Sequence, residues 1–208
     1  MESLIKYDYH LHTINSPDGI ATMEEQIQEA INKRFEQICF TEHMDFNEFT
    51  RAVEPDFLDM NKYQKEFEIL KEKYLGKINL RFGIELGLQP HTRKAVYEFV
   101  NKYNFDFVIG SLHDPEGYNI YIDNGFFAGR TQKEAYTKYL SEMLGIVENY
   151  NDEFDVLGHI DYIIRYGNFE KKKMEYEEYS EWIDKILRLV IEKGKGIEIN
   201  TSRYQIWI

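Results

Sequence analysis

Five of the six histidines in this 208-residue chain stand just beyond short apolar runs of β character, and that placement restricts the folds open to it. The runs are Leu4-Ile5 before Tyr7-Asp8-Tyr9-His10-Leu11-His12, Ile38-Cys39-Phe40-Thr41-Glu42-His43, Val108-Ile109-Gly110-Ser111-Leu112-His113 and Phe154-Asp155-Val156-Leu157-Gly158-His159. A carboxylate repeats the pattern in Leu80-Arg81-Phe82-Gly83-Ile84-Glu85. In an extended segment residues i and i+2 share a face, so His10 and His12 can reach one ligand together. Side chains spread over so much sequence meet only if the ends of parallel strands are gathered in one place.

Between these runs the hydrophobic pattern changes to a helical period. Strands are predicted at about 4–9, 38–41, 78–84, 105–109, 154–157 and 196–200, with helices at about 23–34, 57–74, 90–103, 132–150 and 177–193. Thr22 with Glu25 forms a capping-box signature, and Pro90 suits the first turn of the third helix. Asp45, Glu54 and Pro55 fall in a long loop, and residues 113–129 form an irregular insert rich in glycine and aromatics, of a length that suggests function. Strand alternating with helix implies a parallel sheet with helices outside. No glycine-rich phosphate fingerprint follows the first strand, so a (β/α) barrel fits better than a dinucleotide-binding open sheet. In a barrel, the loops at the carboxyl ends of the strands converge.

Each residue also has a plainer reading. His10 with His12 fits an exposed pair; His43, His113 and His159 singly fit hydrogen-bonded loop histidines; Asp18 in Ser16-Pro17-Asp18-Gly19 fits a turn, and Asp161 a helix cap. Glu85, between Ile84 and Leu86, is costly to bury unpaired, so it is either exposed or bound to something positive. The joint occurrence at strand ends favours a metal centre, and imidazole with carboxylate suits Zn, Mn or Fe. The net charge of -12 argues against nucleic acid or an anionic membrane as partner. One cysteine, Cys39, leaves no internal disulfide, and no run of membrane-spanning length or leader pattern is present, so a single cytoplasmic domain over 1–208 is expected.

Taken in order, Asp8-Tyr9-His10-Leu11-His12-Thr13, Ser16-Pro17-Asp18, Phe40-Thr41-Glu42-His43, Gly83-Ile84-Glu85-Leu86-Gly87-Leu88-Gln89-Pro90-His91, Ile109-Gly110-Ser111-Leu112-His113, Leu157-Gly158-His159-Ile160-Asp161-Tyr162 and Ile197-Glu198-Ile199-Asn200-Thr201-Ser202 resemble the PHP (polymerase and histidinol phosphatase) superfamily, and within it the histidinol-phosphatase branch. The resemblance implies an α/β fold, a distorted TIM-like (β/α)7 barrel with two or three divalent ions. By it His10 and His12 hold one ion, Glu85 bridges to a second held by His113 and His159, and Asp18 and His43 belong to a third. The family closes its site with an Asp-x-His motif on a later strand; this sequence has none after Asn200, and Arg203 stands where the family usually has glycine. That departure implies a barrel short of its last β/α elements, a depleted third ion site, and unpaired edges that favour a homo-oligomer.

Ions of this kind activate water for attack on phosphorus, so neither serine nor cysteine is needed as nucleophile. Arg165 is placed to grip phosphate, with a surface ion pair as its plainer reading. His91, at a helix start, suits phosphate contact or protonation of the leaving alkoxide, or simple packing on Pro90. The expected substrate is a small phosphomonoester, L-histidinol phosphate, its ammonium met by Asp45, Glu54 or Asp114. Two other readings stay open: a phosphoesterase or exonuclease acting on nucleotides or nucleic acid, and a metal-stabilised domain without catalysis.

Overall fold

The computed structural model describes residues 6–46 and 58–200. Strands β1 (Tyr7–Leu11), β2 (Gln37–Phe40), β3 (His43–Asp45), β4 (Asn79–Gly87), β5 (Phe107–Ser111), β6 (Val156–Leu157) and β7 (Gly196–Ile197) are joined by helices α1 (Met23–Asn32), α2 (Met60–Lys73), α3 (Arg93–Val100), α4 (Gln132–Asn149) and α5 (Tyr176–Glu192). All strand pairs are parallel, in the order β1-β2-β4-β5-β6-β7, with β3 paired to β4 beyond β2.

The sheet is curled. β1 and β6 are four strand positions apart, about 19 Å on a flat sheet at ~4.8 Å per step. Yet the rings of His10 and His159 have centroids 5.7 Å apart, and Tyr9 of β1 meets Phe107 of β5 at 4.8 Å across the concave side. This is a parallel α/β half-barrel; its parallel sheet with helices outside is what the alternation of strand and helix predicts, and the curl answers the choice between open sheet and barrel in favour of the latter.

Local chemistry explains the elements. Thr22 and Glu25 close a reciprocal capping box at the start of α1, and Thr131 with Glu134 does the same for α4. α1 buries Met23, Ile27 and Ala30, and α2 buries Met60, Tyr63, Phe67 and Leu70, spacings that put an apolar stripe against the sheet. The Tyr63 hydroxyl lies 2.9 Å from the carbonyl oxygens of both Phe40 and Gly83, tying α2 to the seam between β2 and β4. No helix among the described residues is long and apolar enough to cross a membrane.

Three expectations change in ways that matter for the site. The stretch containing Asp45 is not simply loop: His43–Asp45 is a strand whose register sets His43 beside Glu85. β4 continues past Ile84 to Gly87, so Glu85 lies within a strand rather than after it. Pro90 is not in the first turn of α3, which begins at Arg93 after Thr92; the backbone between Gln89 and Thr92 is a separate turn closed by Thr92. Glu54, Pro55 and Phe57, the residues before Lys6, and Thr201 onward lie outside the described residues.

Candidate metal centre and active site

The carboxylate of Glu85 is the hub. It is fully buried, and its two oxygens face two different sets of rings. Oε2 is 3.1 Å from each of His10 Nε2, His12 Nε2 and His43 Nδ1. Oε1 is 2.9 Å from His159 Nε2 and 3.2 Å from His113 Nε2, and accepts a hydrogen bond from Ser111 Oγ at 2.7 Å. β1 contributes His10 with His12 two residues on, and β3 contributes His43. β5 and β6 are followed at once by the turns carrying His113 and His159.

The spacing is that of a ligand shell. His10 Nε2 and His12 Nε2 are 3.1 Å apart, so with Glu85 Oε2 they form a triangle of equal edges. Ligands about 2.0–2.1 Å from a tetrahedral ion stand about 3.3 Å from one another. Glu85 Oε2 and His43 Nδ1, both buried, have no hydrogen-bond partner, although they lie so close together. Buried polar atoms left without partners are costly, and a cation between them removes the cost. Among the described residues, three groups have ligand atoms within 4.8 Å of one another: His10, Glu85 and His159; His12, His43 and Glu85; His43, Asp45 and His113.

Outside this ring of nitrogens stands a ring of carboxylates. His10 Nδ1 is 2.7 Å from Glu198, His12 Nδ1 is 2.9 Å from Asp18, and His113 Nδ1 is 2.7 Å from Asp45. A carboxylate on Nδ1 fixes the tautomer that leaves Nε2 free as a ligand. Two glycines make the room: a Cβ at Gly87 would strike the Asp45 carboxylate, and one at Gly158 would strike Ser111 Oγ.

Charge follows the geometry. Burial opposes protonation of His10 and His12, but the field of Glu85 and the hydrogen bonds to Glu198 and Asp18 prevail, holding their pKa values at about 10 and about 9. Burial likewise opposes protonation of His113, yet Asp45 and Glu85 keep it well above the ordinary range. For His159 burial wins and its pKa falls. Despite burial, the surrounding histidines hold Glu85 well below the usual carboxylate range, and His10 draws Glu198 down to about 2. The ions of this cluster are therefore held as carboxylates and imidazoliums until something more positive than a proton displaces the latter.

Comparison with known proteins is decisive at this point. A family model described as PHP domain matches residues 8–202. The chain belongs to the PHP family. A histidinol-phosphatase of Lactococcus lactis is 33% identical over 203 residues, 96% of this chain and 72% of that one. A probable histidinol-phosphatase of Clostridium acetobutylicum is 34% identical over 198 residues, 95% of this chain and 73% of that one. The crystal structure of the Lactococcus lactis histidinol phosphate phosphatase, complexed with zinc, L-histidinol and phosphate, superposes with a TM-score of 0.89 at 34% identity, covering 98% of this chain and 76% of that one.

Within this PHP fold, the other candidates divide. Asp18 lies against His12 Nδ1 and 3.5 Å from His43 Nε2, beside the cluster and bonded to one of its rings. Arg165 ends the short turn Tyr162–Arg165; its Nη2 donates to Asn200 Oδ1 at 3.2 Å, and its guanidinium lies over the Tyr162 ring. That ring stacks on His159 with centroids 4.7 Å apart, which sets Arg165 one ring away from the centre. His91 is exposed in the turn ahead of α3 and belongs to none of the ligand groups. Of the acids considered for the substrate ammonium, Asp45 is engaged with His113, Asp114 is buried, and Glu54 is outside the described residues.

Sequence reading missed Glu198, and the signal was present: Ile197-Glu198-Ile199 sets a carboxylate between isoleucines just as Ile84-Glu85-Leu86 does. It also missed Glu42. This fully buried carboxylate accepts from Thr13 N, Thr13 Oγ1 and Ser16 Oγ, while Ser16 Oγ accepts from the His43 backbone N–H. Glu42 thus fastens the loop carrying Asp18 to the strand carrying His43. Glu42→Ala leaves three donors buried without an acceptor, and the expected loss in folding stability is about 3 kcal/mol or more, read from urea denaturation. A midpoint equal to that of the parent would show that the loop is held by other contacts.

Proposed function

We propose that this PHP protein is a metal-dependent phosphomonoesterase that hydrolyses L-histidinol phosphate to L-histidinol and phosphate. The observation that carries the reading is Glu85, whose two oxygens face separate sets of imidazoles, in a chain a third identical to an enzyme crystallised with zinc, L-histidinol and phosphate. His10, His12 and His43 on one side, and His113 and His159 on the other, would share Glu85 between two divalent ions, with Asp45 and Asp18 able to take part in a third position. Zinc, manganese and iron all suit this donor set.

When bound, such ions supply an activated water and draw charge from the phosphoryl oxygens. The protein's own groups do the rest. Ser111 is committed to Glu85 and Cys39 is buried in β2 with burial pushing its thiol up, so neither serves as nucleophile and water attacks phosphorus directly. Arg165, beside Tyr162, grips the phosphoryl group with parallel hydrogen bonds. His91, exposed in the turn ahead of α3, is proposed to meet the phosphate or the leaving alkoxide.

Phosphate release from L-histidinol phosphate, p-nitrophenyl phosphate and single-stranded DNA, each with added zinc or manganese, tests this. The expected kcat/KM is at least about a hundredfold higher for histidinol phosphate, because a site built for an ammonium and an imidazole loses those contacts with the generic ester. Equal rates on the two monoesters, or faster cleavage of DNA, would overturn the assignment.

A further inference from the structure

We propose that Glu198 is a positioning residue that fastens the two open edges of the half-barrel together at the metal centre and fixes His10 as an Nε2 ligand. The inference rests on the reading of the Glu85 cluster as a metal centre. β1 and β7 are the ends of the strand order and make no ladder with one another among the described residues. In their place, one carboxylate following β7 reaches across the gap. Its Oε1 takes His10 Nδ1 at 2.7 Å, from β1, and its Oε2 accepts the backbone N–H of His159 at 2.8 Å, just past β6. The Asn200 amide donates to the same Oε1 at 2.9 Å, and Asn200 in turn accepts from Arg165.

The consequence follows from the order of contacts. His10 has one nitrogen on Glu85 and the other on Glu198, so the ring can neither flip nor change tautomer without losing a charge-assisted hydrogen bond. His159 has its ring on Glu85 and its backbone on Glu198. Two candidate ligands from opposite sides of the curled sheet, their rings 5.7 Å apart, are therefore tied together by Glu198 from outside as well as by Glu85 from within. The one strand ladder that β1 makes among the described residues, with β2, lies away from the opening, so without Glu198 the spacing at the site is less firmly imposed across it.

The test compares Glu198→Ala, Glu198→Gln and Asp155→Asn. Asp155 is the control: its carboxylate accepts the Val108 N–H at the opposite end of the strands, so its loss weakens the fold without touching the site. Zinc affinity is measured by competition with a chromophoric chelator, and the proton on the His10 ring is located by nitrogen-15 NMR of the zinc-loaded protein. Glu198→Ala is expected to weaken zinc binding by about 10–100-fold and to remove the Nδ1–H signature of His10. Glu198→Gln keeps an acceptor for His10 but turns an amide N–H toward the His159 N–H, so it retains the signature with a smaller loss; it also serves if the alanine variant does not fold. Asp155→Asn, which keeps an acceptor for Val108 but loses its charge, is expected to lower the melting temperature modestly with zinc affinity unchanged. Zinc binding by either Glu198 variant within about twofold of the parent, or an equal loss in Asp155→Asn, would overturn the proposal. Because the readouts need no substrate, failure of the parent to hydrolyse histidinol phosphate would count against the phosphatase reading and leave this one standing.

Discussion

Glu85→Ala is expected to abolish phosphate release with metal in excess while leaving the circular dichroism spectrum of the parent intact. The two oxygens of this carboxylate face both sets of histidines from the middle of the cluster, so removing them takes away the group the sets share. Losing a shared ligand forfeits stabilisation of about 4 kcal/mol or more at the transition state, roughly a thousandfold in rate. The fold survives for an electrostatic reason. Without Glu85, His10 keeps Glu198, His12 keeps Asp18 and His113 keeps Asp45, so each imidazolium retains a carboxylate partner and no isolated charge is left buried. Glu85→Gln keeps the bond to Ser111 and the volume, and its activity should be as low, because a carboxamide is a poor bridge between cations. Turnover retained by either variant would sink the shared-ligand account, and a collapsed spectrum for both would show that Glu85 is needed by the fold itself.

The parts of this centre legible in the sequence are those that depend on strand ends. His10, His12, His43, His113 and His159 each follow a recognisable apolar run, and parallel topology brings such positions to one rim whatever the details. The distances between the ligands were not legible. The resemblance implied His113 with His159 beside Glu85, and both do face its Oε1, but it gave no sign that His159 would also stand with its ring 5.7 Å from that of His10. That pairing depends on curl, which moves β6 next to β1, and no local pattern of residues encodes the radius of a sheet. β3 was hidden for a related reason: three residues, His43–Asp45, pair only because β4 is nine residues long and offers its second half to them. Pro90 misled because proline fits a turn as well as a helix start, and here Thr92 closes the turn first. The apolar neighbours of Glu198 signal a carboxylate bound to something, but neither it nor Glu42, beside a threonine, shows in sequence which distant donors it accepts from.

The second large effect expected is a steep rise of metal affinity with pH. At neutral pH the metal-free centre holds protons on His10 and His12, whose pKa values stand at about 10 and about 9 against an ordinary 6.5, and on His113, also raised. His159, with its pKa lowered, carries none, and Glu85, Asp45 and Glu198 are already ionised. An imidazole binds a cation only through a lone pair, so each protonated ring must release its proton on binding. Roughly two to three protons leave together, and the apparent association constant for zinc should climb by about two to three powers of ten per pH unit between pH 6 and 8.5, less steeply once His12 deprotonates near pH 9 and less again past about pH 10, where His10 follows. The metal-free fold should respond with the opposite sign. A histidine whose folded pKa is raised contributes stability that is complete below its unfolded pKa and disappears as pH rises through 9 to 10, while Glu198, depressed to about 2, contributes above the usual carboxylate range and loses its share as pH falls toward 2. Chelated protein should therefore melt highest near pH 5–6.5 and zinc-loaded protein at higher pH. Titration calorimetry in buffers of different ionisation enthalpy counts the protons, and melting curves with and without chelator give the two optima. Zinc binding that releases no protons, or a metal-free melting temperature that rises between pH 7 and 10, would mean that the histidines facing Glu85 are neutral before any ion arrives.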